Sequence, residues 1–363
     1  MTLTLFTNVP VVPVTRVHQH VARGGPIWPG FAGQTWVRHC RVRKPWDEKP
    51  DLPPQLRPMT APAVWGGFLD SHFGHFVADH LPRLAFSMRE RPADTYLFTV
   101  DPGMTRADLA RWVWQVFDWI GLSPDQVHLV TEPMYVETLR VGPQAEMLAQ
   151  VGPVPGYLDA IVHWAAGLQP LMAPVVYVTR LGLPQKGGGA HAGEGYLVQQ
   201  LQQAGVAVLN PSHATVLMQM QTYAGAGRLI FAEGSALHGR QLLGYVSQNI
   251  EVLRRRPDRM IAKAALRPRC DGLSYHDLTA GRLMAYWKQG SPRPDPALCL
   301  YDVAALIRIF QGLGIDLADA WNNAAYQQAA RADIADWMQV RDPAGGRSAE
   351  HQGELARLDL GKT

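Results

Sequence analysis

The chain has 363 residues, enough for two domains with separate cores, and its 47% hydrophobic and 18% charged residues are the proportions of a globular, water-soluble protein. A formal net charge of +3 argues against a dedicated nucleic-acid binder, and leaves anionic small substrates or an anionic membrane surface open. Three scattered cysteines, Cys40, Cys270 and Cys299, exclude a disulfide framework and a zinc knuckle; with no basic leader and no membrane-length apolar run, a cytoplasmic protein is expected.

Residues 1–62 form a proline-rich, β-rich segment. Strand-like runs are expected over 9–17 and 35–42, and Pro10 and Pro13 would confine the first to a sheet edge. Arg38, Arg41, Arg43 and Lys44 make this segment basic, either as a solvated face or as a binding patch. A short buried strand over 61–65 then feeds W-G-G-F-L-D-S-H-F-G-H-F-V-A-D-H-L-P-R, residues 65–83. Asp70 or Ser71 would cap a helix there, and Pro82 would kink or restart it at 81–82. On that helix His72, His75 and Asp79 stand at i, i+3 and i+7, one polar stripe among Phe76, Val77, Leu81 and Leu84. Titratable groups in apolar surroundings are where pKa values shift for chemistry. The plainer reading is a helix end with satisfied histidines, Asp79 pairing with Arg83 at i+4.

A strand over 95–100, a helix over 105–122 and strands over 126–130 and 134–141 complete a parallel α/β domain spanning 63–155. Residues 142–156, rich in Gly and Pro, read as a linker. A second Rossmann-like domain spans 156–255: helix 157–168, strand 175–179, helix 194–204, strand 206–209, helix 214–225, strand 229–232, helix 235–243 and strand 249–253. From Arg254-Arg255-Arg256 the chain becomes irregular, and residues 256–363 form a helical extension, with helices over 302–313, 317–330 and 333–340 and a frayed polar end from about 343.

Two strand ends in this second half carry polar residues where a ligand would sit. One is V-V-Y-V-T-R, ending in Arg180 and followed by Lys186 and Gly187-Gly188-Gly189. The other is L-I-F-A-E-G-S-A-L-H-G, where a strand runs into Glu233, Gly234 and Ser235 and a helix starts, with His238 one turn in. Small residues at a strand-to-helix turn let backbone N–H groups approach an anion, and Arg180 and Lys186 would neutralise a diphosphate. The sequence has no G-x-G-x-x-G after a strand, no Walker A and no D-x-D. A bound diphosphate would therefore rely on protein cations and helix dipoles.

Taken in order, these segments resemble glycosyltransferase family 61, often labelled capsular polysaccharide biosynthesis protein. G-H-F-V-A-D-H-L-P-R at 74–83 resembles the family's G-H-[FW]-x-x-[DE]-x-L-P-R, and Y-V-T-R at 177–180 its Y-x-x-R. Glu194 falls at an N-E pair, with Gly193 in place of the asparagine, and Gln219 at an E-Q pair. Residues 233–238 fall at an H-G-A-G-L-T-N block, where Glu233 replaces histidine, Ser235 alanine and His238 a usual threonine. The resemblance covers 64–253, about half of the chain.

It implies a GT-B architecture, two Rossmann-like domains facing across a cleft with the nucleotide-sugar held mainly by the C-terminal one, and inversion at the anomeric carbon. On that reading Asp79 is the general base, with His75 as its orienter or substitute, and His72, His80 and Arg83 face the acceptor. Arg180, Lys186, Gly234 and Ser235 hold the diphosphate, and Glu233 and His238 touch the donor's sugar or ribose. The expected co-substrate is a nucleotide-sugar, with no further cofactor, no bound metal and no nucleic-acid partner. The acceptor is a glycan or lipid-linked glycan of cell-surface polysaccharide synthesis, reached in the cytoplasm or peripherally at the inner membrane. The residues themselves also leave open a metal-dependent hydrolase built on His72, His75, Asp79 and His80, and a non-catalytic nucleotide-sugar or glycan binder in an assembly complex.

Overall fold

The structure, a computed structural model, describes residues 2–18, 21–69, 72–92, 94–148 and 151–357. It is a mixed α/β protein with an eight-stranded sheet in its N-terminal half and a five-stranded parallel sheet in its C-terminal half. No helix among the described residues is long and apolar enough to cross a membrane.

In the first sheet Met134–Val141, Ala63–Phe68, Thr95–Thr99 and Val127–Val130 run parallel. Thr4–His18 joins them antiparallel and lies inside the sheet, between Met134–Val141 and Val21–Pro26, rather than at its edge. The prolines are accommodated because the strand changes partner midway. Pro13 falls where the register shifts between Val12 and Arg16, so its missing N–H costs no ladder bond. Pro10 joins through its carbonyl, which accepts from Ile27 N at 2.8 Å. The run 35–42 is mostly turn, with only Cys40–Arg41 paired, because Arg38 is drawn into an ion pair with Asp47 at 2.6 Å.

The second sheet is ordered Ala207–Leu209, Ala173–Val178, Ala226–Ala232, Asn249–Arg254, Gly272–Asp277. Its last strand lies in the stretch expected to be helical. That stretch also holds the hairpin of Thr279–Tyr286 and Pro292–Tyr301. The expected helices over 317–330 and 333–340 are one helix, Asn323–Arg341, whose start is capped by the Asn322 side chain. The tail is not frayed throughout: Ser348–Arg357 is helical, and His351 is buried between Trp337 and Tyr286.

Period-two alternation sends the strand side chains to three apolar layers. Val176, Val178, Leu229, Phe231, Ile250 and Val252 point to one side, Tyr177, Ile230 and Leu253 to the other. In the first sheet Tyr96 and Phe98 point to the same layer as Val176, while Leu97, Ala63 and Trp65 face away. That middle layer is therefore a single core shared by both sheets, filled by helices such as Leu84–Glu90, Arg111–Ile120 and Val216–Gly225. Residues 142–156, which read as a linker, pass through this interior. Gln144, Ala145 and Glu146 are buried, Gln144 bonds both backbone groups of Cys40 at 2.9 Å, and Glu146 forms a bidentate pair with Arg269.

Candidate active site

Counted in chain order, the parallel sheet runs 2-1-3-4-5, so its order reverses between Ala173–Val178 and Ala226–Ala232. Ligands of such sheets bind beyond the strand C-termini at that reversal. The two sequence segments singled out in this half end there. Glu194, at the start of helix Glu194–Gln203, clamps the first strand end. Its Oε1 accepts from Tyr177 Oη at 2.7 Å and from Thr179 Oγ1 and Arg180 N, both at 2.9 Å. The Arg180 side chain is held in turn by Nε donating to Gly189 O at 2.8 Å. Its guanidinium lies directly over Gly234, where an added Cβ would stand 1.5 Å from Nη1. Burial, with Arg255 nearby, lowers Arg180 to about 9, so it remains a cation at neutral pH.

A cavity of about 450 Å³ opens at this point. The C-terminal half lines it with Thr179, Arg180, Ser235, Ala236, Gln219 and the loop 211–215. The N-terminal half supplies Phe73, Arg111, Trp112 and Gln115. Ser235 is thus on the cavity wall. Lys186 is not: it is exposed on the turn Pro184–Lys186, which packs on helix Asn323–Arg341 through Gln185–Asp336 and Arg341–Gly187 contacts. Glu233 also leaves the site. It is fully buried, and its Oε2 accepts from Arg255 N at 2.6 Å and Arg256 N at 2.8 Å, satisfying the turn made by the arginine triplet.

The helix expected over 235–243 is only Ala236–Gly239, followed by a 3-10 turn, Arg240–Leu242. The buried Arg240 guanidinium ends it by bonding Gln248 Oε1, Gly244 O and Arg269 O. On this short helix His238 is buried, its Nδ1 2.6 Å from Gln241 Oε1. The Gln241 amide is oriented by Nε2 donating to Glu146 at 3.2 Å, so its oxygen faces the imidazole and Nδ1 carries the proton. Burial lowers His238 to about 4, so it is neutral with its lone pair on Nε2.

The histidine-rich segment begins at His72, whose Nδ1 accepts from His75 N at 3.4 Å; the expected caps Asp70 and Ser71 lie outside the described residues. A turn of α-helix, Phe73–His75, passes into a π-helical turn, Phe76–His80, and a 3-10 turn, Leu81–Arg83, containing Pro82. The π turn carries more residues per revolution, so the stripe does not stay on one face. His72 is exposed, His75 half-buried and Asp79 fully buried. Asp79 pairs not with Arg83 but with Arg41, which donates from Nε to Oδ2 at 2.8 Å, and its Oδ1 accepts from Leu148 N at 2.8 Å. Burial raises its pKa against the opposing pull of Arg41. Arg83 is buried and bonds Gly142 O and Arg38 O, and His80 is buried between His39 and Phe68. Neither presents a surface to an acceptor.

Gly74 brings the two constellations together. A Cβ there would lie 2.9 Å from His238 Cδ2 and 3.3 Å from both His72 Cε1 and Ser235 Cβ. His72 and His75 lie near enough to His238 to act on it electrostatically, and His75 near enough to Asp79. His72 and His238 therefore lie close to Ser235, a residue of the cavity wall. Among the described residues no three His, Cys, Asp or Glu side chains are grouped to hold a metal ion.

Sequence reasoning missed the cavity wall formed by Phe73, Arg111, Trp112 and Gln115, and the loop 211–215. One signal was available: Arg111 opens a helix with no acid in its first turn, an unfavourable place for a cation unless an anion joins it. Among curated proteins none matches the chain. The model of the family Glycosyltransferase 61 matches residues 73–240, a stretch that contains the entire lining of the cavity. The chain therefore carries a glycosyltransferase 61 domain, and the cavity between its two sheets lies within it.

Proposed function

We propose that the protein is an inverting, metal-independent glycosyltransferase that moves a sugar from a nucleotide-sugar to a glycan or lipid-linked glycan acceptor in cell-surface or capsular polysaccharide synthesis. The observation that carries this reading is the cavity at the sheet reversal, with Arg180 fixed over Gly234 on its wall. A GT-B arrangement belongs to the reading: residues 156–255 on the donor side, residues 63–155 on the acceptor side, and activity in the cytoplasm or peripherally at the inner membrane.

The acceptor oxygen attacks the anomeric carbon as the bond to the diphosphate oxygen breaks, and the leaving group keeps that electron pair. Arg180, with backbone N–H groups at Gly234–Ser235, receives the charge. The helix that follows has only four residues, so the guanidinium carries most of this stabilisation. The acceptor proton passes to a base. His75 suits this role better than Asp79: it is half-buried, next to the exposed His72, whereas both Asp79 oxygens are engaged and shielded.

Thermal-shift screening against uridine, guanosine, cytidine and thymidine nucleotide-sugars tests the reading, since a ligand at a hundred times its Kd stabilises by about 2.7 kcal/mol. At least one should raise the melting temperature and be turned over in EDTA with a glycan acceptor. No shift with any donor, or transfer lost on chelation and restored by one divalent ion, would overturn it.

A further inference from the structure

The second cation in the cavity comes from the other half of the chain. The first turn of helix Arg111–Ile120 lines the cavity, so Arg111 and Trp112 share it with Arg180 and Ser235. This helix is anchored to the other half at two points. Gln115 Oε1 accepts from Val216 N at 3.2 Å, just past the cavity loop, and Trp119 Nε1 donates to Leu242 O at 3.2 Å. The helix start therefore has a set position relative to the other half, and the exposed Arg111 side chain extends from it. Among the described residues neither arginine side chain is in an ion pair; Glu194 bonds the Arg180 backbone N–H, and it and Glu233 act on the guanidinium only through space. Ala110 offers the helix start no side-chain cap, and its first turn contains no acid. Two guanidinium groups in one cavity without a carboxylate call for an anion with several oxygens.

The wall beside Arg111 is aromatic. Phe73 meets Trp112 edge to face, with ring centroids 5.3 Å apart, and Phe76 lies 5.7 Å behind it. Both contacts restrain the indole, which stays partly exposed on the cavity side of the helix. A restrained indole next to a phosphate-binding cation is a platform for a flat heteroaromatic base.

We infer that the nucleoside diphosphate is held across the seam between the halves, its diphosphate between Arg180 and Arg111 and its base against Trp112. This rests on the proposed nucleotide-sugar donor, and it assigns donor recognition to both halves instead of the C-terminal half alone. Arg111 and Trp112 would be binding residues with separate targets, one for phosphate and one for base.

Calorimetric titration of the full chain with UDP, GDP, CDP and ADP, and with inorganic pyrophosphate as a phosphate-only probe, tests this. Arg111→Gln and Arg180→Gln should each weaken the best nucleoside diphosphate and pyrophosphate alike, by about tenfold. Trp112→Leu should weaken the nucleoside diphosphate by about tenfold and leave pyrophosphate unchanged. Trp112→Phe, which keeps a ring against Phe73, should recover much of that loss, separating stacking from damage to the fold. If Arg180→Gln weakens nucleotide while Arg111→Gln and Trp112→Leu bind like wild type, the donor is held by the C-terminal half alone; the inference fails and the proposed function stands. If the wild-type chain binds no nucleoside diphosphate, both fall.

Discussion

Gly234 leaves room for Arg180, and Gly74 leaves room for His238. An alanine methyl at 234 would occupy the place of the Arg180 guanidinium, so Gly234→Ala should reduce nucleotide affinity by about tenfold, the loss expected from removing a charge-assisted contact. Titration calorimetry on the folded variant measures it. The roles of Asp79 and His75 separate in the same way. Asp79→Asn removes the buried carboxylate that pairs with the half-buried Arg41, and breaking such a pair costs up to about 3 kcal/mol, so chemical denaturation should show a clear loss of stability. His75→Gln, at a half-buried position, should leave stability near wild type and reduce turnover by about two to four orders of magnitude with little change in donor affinity. A fully active His75→Gln enzyme would remove this histidine from the chemistry. The titratable residues of 72–83 were legible in the sequence as a group, because helical spacing places them close together. Which of them is accessible was not, because that depends on Arg41 and Leu148, contacts 38 and 69 residues away.

Apolar strand runs alternating with helices are legible wherever a strand is buried on both faces, as in Ala173–Val178 and Ala226–Ala232. Gly272–Asp277 escapes that reading because it is a half-exposed edge strand with Gly, Ser, His and Asp among its six residues. The π turn Phe76–His80 has no local signature either; it is the turn in which Asp79 is buried against Arg41, a partner 38 residues away. The short helix Ala236–Gly239 gives a pH signature. His238 titrates at about 4 in the folded chain, against about 6.5 when unfolded. Between these values the unfolded state binds a proton that the folded state does not. The contribution of His238 to stability is therefore present above pH 6.5 and is lost as pH falls, by about 1.4 kcal/mol per pH unit. Buried acids such as Glu194, raised by burial, act in the opposite direction, so the wild-type profile alone mixes both effects. The stability difference between wild type and His238→Gln isolates it: this difference should shrink steadily from pH 6.5 toward 4.

The two sheets share one middle core, and the Glu146–Arg269 pair, at 1% and 0% side-chain exposure, ties residues 142–156 to the far half. Two separately cored domains would melt in two steps, whereas a common interior couples them. Calorimetry should show one cooperative transition, and Glu146→Gln should lower the stability of the entire chain by about 3–5 kcal/mol instead of releasing one half. Two resolved transitions would contradict the shared core.

That common interior also limits how the enzyme can treat water. Many transferases keep water from an activated sugar by swinging one lobe over it. Here a swing about residues 142–156 would have to shear packed side chains, and close-packed interiors do not deform continuously. The donor would enter a site already formed, and the bound acceptor itself would be what displaces water. Without acceptor the protein should leak, splitting its donor into free sugar and nucleotide. Saturating acceptor should suppress that leak, so that nucleotide released and sugar transferred become equal.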